Sequence, residues 1–330
     1  MKTTTKIILA VIAFFTLIGI LFVFLVLPLH TANWDTEPER IYIPQGCDYP
    51  ALRDTLNAHE IVINKSVASL EFDLMARVLG LDKNVRPGSY LVIRNMNLLQ
   101  FARKLRNGQQ DPIRLTIGKF RTPQQLNEYL DSKLMHNDFN VALDSFHIIH
   151  PDTYEFYWTV THEQFMQRMR KEDERFWEAR KALLTKSLIL TPTDVVVLAS
   201  IVEEETNNNP EKPLIASVYL NRLRKGMPLQ ADPTVKYAVG DFTLRRILNK
   251  HLAVESPFNT YLHSGLPPAP ICLPSKATVD AVLNAPETNY LYFCASEKMD
   301  GTHRFASTLA EHNRNAQRFH LALNQLGIKN

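Results

Sequence analysis

Residues 199–210 read Ala-Ser-Ile-Val-Glu-Glu-Glu-Thr-Asn-Asn-Asn-Pro. An apolar run that begins at Val195 ends in three adjacent carboxylates, Glu203, Glu204 and Glu205. Like charges repel. The run is therefore either a solvated helix end or a place where one carboxyl is shielded and carries a proton. Upstream, Thr191-Pro192-Thr193-Asp194 supplies a capping hydroxyl, a proline at the first helical position and an acid at the third. The spacing predicts a helix over 192–205. Val195, Leu198 and Val202 share one stripe, and Glu205 continues it three residues on. Glu204 points roughly the opposite way and Glu203 to one side. The helix is apolar nearly all round, so facing alone leaves both readings of Glu205 open.

The segment 210–225 predicts a second helix. Leu214 and Val218 lead to Asn221, while Ile215, Val218 and Tyr219 lead to Arg222. A polar and a charged residue thus extend apolar rows, and such groups need partners when buried. They either brace the helix end or line a cleft beside the glutamates. In "GMPLQADPTVKYAVG", Asp232 before Pro233 reads first as an N-cap. Gln230 has no capping role and can hydrogen-bond a sugar. Asn259, Thr260 and Tyr261 sit in a loop whose shape Gly265 and three prolines fix. That loop either presents donors and a stacking face to carbohydrate or is a plain turn. "HRFASTLAEHN" adds His303 and His312, nine apart, which is not a metal spacing.

No phosphate-binding loop, dinucleotide turn, zinc motif or nucleophile elbow is present in the sequence. The expectation is acid–base chemistry or pure binding, with no cofactor and no metal. The net charge of +3, without a basic block, argues against nucleic acid. Cys47, Cys272 and Cys294 form neither a metal set nor a disulfide framework, though a Cys272–Cys294 bridge stays open.

Further elements must position these groups. "RIYIP" alternates as a strand, "YPALRDTLN" reads as a helix, and a helix is expected over 66–79. "RPGSYLVI" reads as a turn and strand. Leu98, Phe101, Ala102 and Leu105 make one helical face, with Gly108 at the left-handed cap position. Beyond the strand "PIRLTI", helices are expected over 123–134, 162–185 and 276–283, then a strand "YLYFCAS" and a last helix from about Thr308. Helices cluster in the centre and strands at the ends of this region, which predicts an α+β fold.

Lys2 and Lys6 precede Ile7–Leu29, a stretch without charge. As a helix it is about 35 Å long, enough to span a bilayer core. A cleaved signal peptide is the rival, but its apolar region is shorter and is followed by a small-residue site. Asp35, Glu37 and Glu39 follow the span, so residues 1–6 are expected in the cytoplasm and the remainder outside. Residues 30–38 read as a linker.

"ASIVEEET", "VYLNRL", "GMPLQADPTVKYAVG", "NTYLHSGLPPAPI", "YLYFCAS" and "HRFASTLAEHN" stand in an order and spacing similar to those of the YceG-like endolytic murein transglycosylases. "RPGSYLVI" and "PDTYEF" match upstream. The resemblance runs from about Glu39 to the C-terminus. It implies a LysM-like subdomain over 39–112 and a catalytic domain over 113–330. It makes Glu205 the catalytic acid, and Asn221, Arg222, Gln230, Asp232, Asn259, Tyr261, Gly265 and His312 the substrate-site positions. It implies non-hydrolytic cleavage of the MurNAc–GlcNAc bond inside peptidoglycan strands, leaving a 1,6-anhydro-MurNAc end. Glu203 and Glu204 are expected to help raise the pKa of Glu205. The resemblance further implies an inner-membrane protein acting near penicillin-binding proteins and the wall-synthesis machinery to limit strand length. Two departures stand out: Ala269 where many relatives have Gly, and Gly118-Lys119-Phe120 at a turn that differs in the family. The rival readings are a water-using muramidase with Asp232 as second carboxylate, and a silent wall-binding scaffold.

Overall fold

The computed structural model describes residues 2–26, 38–62, 67–93, 96–186, 190–244 and 246–325. Its elements in order are α1 (Lys2–Val26), β1 (Glu39–Ile43), α2 (Tyr49–Ala58), α3 (Val67–Leu79), β2 (Gly88–Val92), α4 (Leu98–Asn107), β3 (Ile113–Ile117), α5 (Pro123–Lys133) and β4 (Asp152–Phe156). There follow α6 (His162–Glu178), α7 (Lys181–Lys186), α8 (Pro192–Glu205), α9 (Lys212–Arg224), α10 (Asp232–Val239), α11 (Asn249–Leu252), α12 (Lys276–Leu283), β5 (Tyr292–Ala295), β6 (His303–Ala306) and α13 (Leu309–Gln325). Mostly helical with small sheets, the fold is α+β, as the sequence predicts.

The chain divides into two compact units. The first comprises residues 1–115, 133–136 and 155–160; the second holds the rest. Side chains of α1 are described over 5–20 only. Among the described residues no helix is long and apolar enough to cross a membrane. The linker expected at 30–38 lies almost wholly outside the described residues.

In the first unit β1 pairs antiparallel with β2, Ile41 opposite Tyr90. The strand alternates as its sequence does: Ile41 and Ile43 are buried while Tyr42 is exposed. Helices α2, α3 and α4 supply Leu52, Leu56, Phe72, Met75, Phe101 and Leu105 to one core. Gly108 ends α4 at φ 65°, the left-handed cap the sequence calls for.

In the second unit α8 is the central element. The capping box forms, with Thr191 Oγ1 accepting from Asp194 N at 3.2 Å and Asp194 Oδ2 accepting from Thr191 N at 2.9 Å. Every residue from Val195 to Val202 is buried. That suits a helix apolar on all sides. Helices α9, α10 and α12 pack against α8. Strands β5 and β6 form an antiparallel ribbon under α13. Helix α10 starts one residue earlier than the N-cap reading of Asp232 implies, and α11 was not anticipated. The helix expected over 162–185 is two, α6 and α7. All three cysteines are free, which closes the question of a Cys272–Cys294 bridge.

Phe101→Ala removes a fully buried ring from the first core. Urea denaturation should show a loss of about 4 kcal/mol.

Candidate active site

The carbonyl end of α8 is the wrong place for negative charge, because the helix dipole presents its negative pole there. The three glutamates resolve this differently. Glu203 Oε2 accepts from Lys212 Nζ at 3.0 Å, from Ser275 Oγ at 3.0 Å, and from the Thr278 hydroxyl. Burial pushes its carboxyl up, but these donors outweigh it and hold Glu203 below the usual range. Glu204 meets Lys119 Nζ at 2.8 Å and Arg121 at 3.0 Å. Burial opposes those cations as well, and they also win.

Glu205 meets no cation at hydrogen-bonding distance among the described residues. Its Oε1 accepts one hydrogen bond, from the Tyr219 hydroxyl at 2.6 Å. Burial pushes its carboxyl up to about 7. The Tyr219 bond pulls the other way, the charge of Asp232 adds to the rise, and Lys236 and Arg222 reduce it. Glu203 and Glu204, expected to raise Glu205, are not among the main causes of its shift, and each stands beside its own cation.

Glu205 lines a cleft of about 280 Å³. Arg222, Gln230, Asp232, Tyr261 and His312 line it too, so six of the nine predicted site residues converge. Tyr219, Leu229 and Phe293 complete the lining and were missed. Tyr219 carried a signal, since it stands in the row that leads to Arg222, but its ring reads as core. It is indeed 1% exposed, although it lines the cleft and its hydroxyl reaches Glu205.

Asn221, Asn259 and Gly265 do not line the cleft. Asn221 donates to the carbonyls of Thr288 and Tyr290 at 2.8 and 3.0 Å. Asn259 donates to those of Leu252 and Val254, both at 2.9 Å. Its Oδ1 accepts from Tyr261 N at 3.0 Å, so it shapes the loop that presents Tyr261. Gly265 adopts φ 91°, a conformation that side chains disfavour.

Arg222 spends its guanidinium on backbone: Nε on the Leu291 carbonyl at 2.7 Å and Nη1 on that of Leu229 at 2.8 Å. Asp232 is not the N-cap of α10. Ala231 occupies that place and Asp232 is the first helical residue. The Asp232 side chain is thereby released to the cleft, where Oδ1 accepts from the Tyr261 hydroxyl at 2.6 Å. Gln230 holds φ 50°, left-handed backbone that costs a residue with a Cβ about 1–2 kcal/mol. Its N–H donates to the Thr260 carbonyl at 3.0 Å, which fixes the bend. His312 stacks on Tyr292 at 5.4 Å, and burial lowers its pKa. His303 lies elsewhere, paired with Glu211 at 2.9 Å.

The cleft thus holds two carboxyls, each bonded to a phenol, with one near half-ionisation at neutral pH. That is the equipment of a proton donor. Asp232→Asn removes the charge that disfavours ionised Glu205. Carbon-13 NMR titration should find the Glu205 midpoint shifted down by about half a pH unit.

The described cleft can be set beside known proteins. Curated endolytic murein transglycosylases are similar to this chain. The one from Bacillus subtilis is 38% identical over 51% of this chain and 46% of its own length. One from Streptococcus pneumoniae is 34% identical over 39% of this chain and 24% of its own. The chain thus spans half or less of the curated relatives it matches. A crystal structure of a YceG-like protein from Listeria monocytogenes, 29% identical, superposes over 85% of this chain and 99% of that one, with a TM-score of 0.52. A model of the YceG-like family matches residues 41–318, from β1 into α13. On that match the chain belongs to the YceG-like family.

Proposed function

We propose that this protein is an endolytic lytic transglycosylase, cutting the MurNAc–GlcNAc β-1,4 bond within peptidoglycan glycan strands. The observation that carries this is the state of Glu205: it lines the cleft and its carboxyl is raised to about 7, whereas Glu203 and Glu204 beside it are held ionised. In the proposed reaction Glu205 donates its proton to the bridging oxygen as the bond to C1 breaks. The C6 hydroxyl oxygen of the same sugar then bonds to C1, and its proton passes to the Glu205 carboxylate. Water is not consumed, and one carboxyl serves as acid and then base. Asp232 stands in the same cleft and supplies negative charge for a cationic sugar. It also supports a second reading, hydrolysis, in which it activates water.

Product mass separates the two readings. Digestion of purified peptidoglycan should release fragments with anhydro ends, lighter by one water than hydrolytic products. Glu205→Gln should lower the rate by about a thousandfold. The wild-type rate should fall as pH rises through about 7, because the acid form is then lost. The same raised pKa makes the contribution of Glu205 to stability greatest below about 4.5 and lost as pH rises through about 7. Anhydro products from Glu205→Gln at the wild-type rate would overturn the assignment, and so would a soluble-product yield of zero from wild type, as expected of a silent scaffold.

The proposal extends to location. Residues 7–29 anchor the chain in the inner membrane, with 1–6 cytoplasmic and the cleft outside. The uncharged stretch and the lysines before it support this. The LysM-like reading of 39–112 and action beside penicillin-binding proteins, limiting strand length, belong to the same proposal and rest on resemblance. Alkaline carbonate washing should leave the full chain in the membrane pellet and a 30–330 fragment in the supernatant. Extraction of the full chain would refute the anchor.

A further inference from the structure

Neutral carboxyl groups have two unlike oxygens, and an acid catalyst works only if the proton rides on the one that meets the substrate. We propose that Tyr219 is the positioning residue for this proton: its phenol holds Oε1 of Glu205 as an acceptor and so assigns the transferable hydrogen to Oε2. This deepens the reading of Glu205 as the acid and rests on it.

The geometry supports the assignment at three points. The Tyr219 hydroxyl lies 2.6 Å from Oε1, and its single hydrogen is donated there. An oxygen that accepts so short a bond is the poorer site for a proton of its own. No described residue hydrogen-bonds Oε2, so that oxygen is available to a ligand in the cleft Glu205 lines. The phenol itself is not free to turn away. Its ring is 1% exposed and packs edge-to-face on Phe293, centroids 5.8 Å apart at 88°. Helix α9 is fixed in turn by Asn221 and Arg222, whose side chains bind the backbone at Thr288, Tyr290 and Leu291.

The same bond has a second effect. It strengthens when Glu205 gives up its proton, because a carboxylate is the better acceptor. Tyr219 therefore stabilises the base form that must next receive the C6 hydroxyl proton. Arg222 on the same helix, Asp232 and Lys236 on α10, Tyr261 on its loop and His312 on α13 also face this cleft or act on Glu205. Among these, Tyr219 alone is bonded to the carboxyl within the described residues.

The test measures kcat and KM against pH on purified peptidoglycan with detergent-solubilised full-length protein. Tyr219→Phe keeps the ring and removes the donor. The expected result is a kcat about tenfold lower, KM changed by less than about twofold, and an alkaline limb about one pH unit higher. A second protein, with 3-fluorotyrosine at position 219, keeps ring and hydroxyl but donates more strongly. Its limb should move down. Opposite shifts support the proposal; a purely packing role moves neither limb. Limbs that stay put, or move the same way, would overturn it. If Tyr219→Phe does not fold, the direction of the fluorotyrosine shift decides. A parallel Glu205→Gln sample keeps the two readings apart. Activity there removes the acid assignment itself, whereas an inactive Glu205→Gln with unmoved limbs removes only the role of Tyr219.

Discussion

The final turn of α8 places three carboxyls where backbone carbonyls already concentrate negative charge and where neighbouring helices exclude water. Such a turn is tolerable only if each carboxyl is compensated separately. Two are matched by cations, Lys212 for Glu203 and Lys119 with Arg121 for Glu204. The third is matched by keeping its proton. The chemistry of the cleft follows from that asymmetry. A buried carboxyl with an adjacent cation is a fixed anion, whereas one given only a phenol is poised to exchange a proton near neutrality.

The surrounding frame holds loops around that carboxyl. It relies on buried polar side chains that bind the backbone. Asn221 and Arg222 tie α9 to the segment leading into β5, and Asn259 ties down the end of α11 and the residue two beyond it. Thr260 pins the bend before α10, its Oγ1 accepting from Ala231 N at 3.0 Å and lying 2.8 Å from the Thr234 hydroxyl. Each of these groups would be costly to bury alone, and each is satisfied. The left-handed turn at Gln230 is sustained by the same frame, and strain of this kind gathers where a side chain must be aimed.

Division of labour among the polar residues is the main revision to the sequence reading. Asn221 and Asn259 brace backbone without lining the cleft, Gly265 does not line it, and Arg222 both braces and lines. Asp232 moves the other way. It is released from a capping role because Ala231 stands at the cap, so its carboxyl reaches Tyr261 and acts on Glu205. The residues that sequence reasoning missed are apolar by periodicity: Tyr219 and Leu229 belong to the core and Phe293 packs against it. Hydrophobic periodicity counts the Tyr219 ring as core and is silent about a hydroxyl at its tip.

By itself the sequence determined what local forces decide. The start of α8 was legible because Thr191, Pro192 and Asp194 make a capping box from neighbours in the chain, and the end of α4 because Gly108 must turn left-handed. The α+β class follows from the pattern of elements in the same way, whereas periodicity on a helix apolar nearly all round left the setting of Glu205 open. Tertiary structure alone decided which glutamate keeps a proton. Lys119, Arg121 and Thr278 lie 85, 83 and 75 residues from the glutamates they hydrogen-bond or pair with, and Tyr219 and Asp232 approach Glu205 from two other helices. A pKa is set by the charges and solvent around a group, and chain spacing carries no record of those distances.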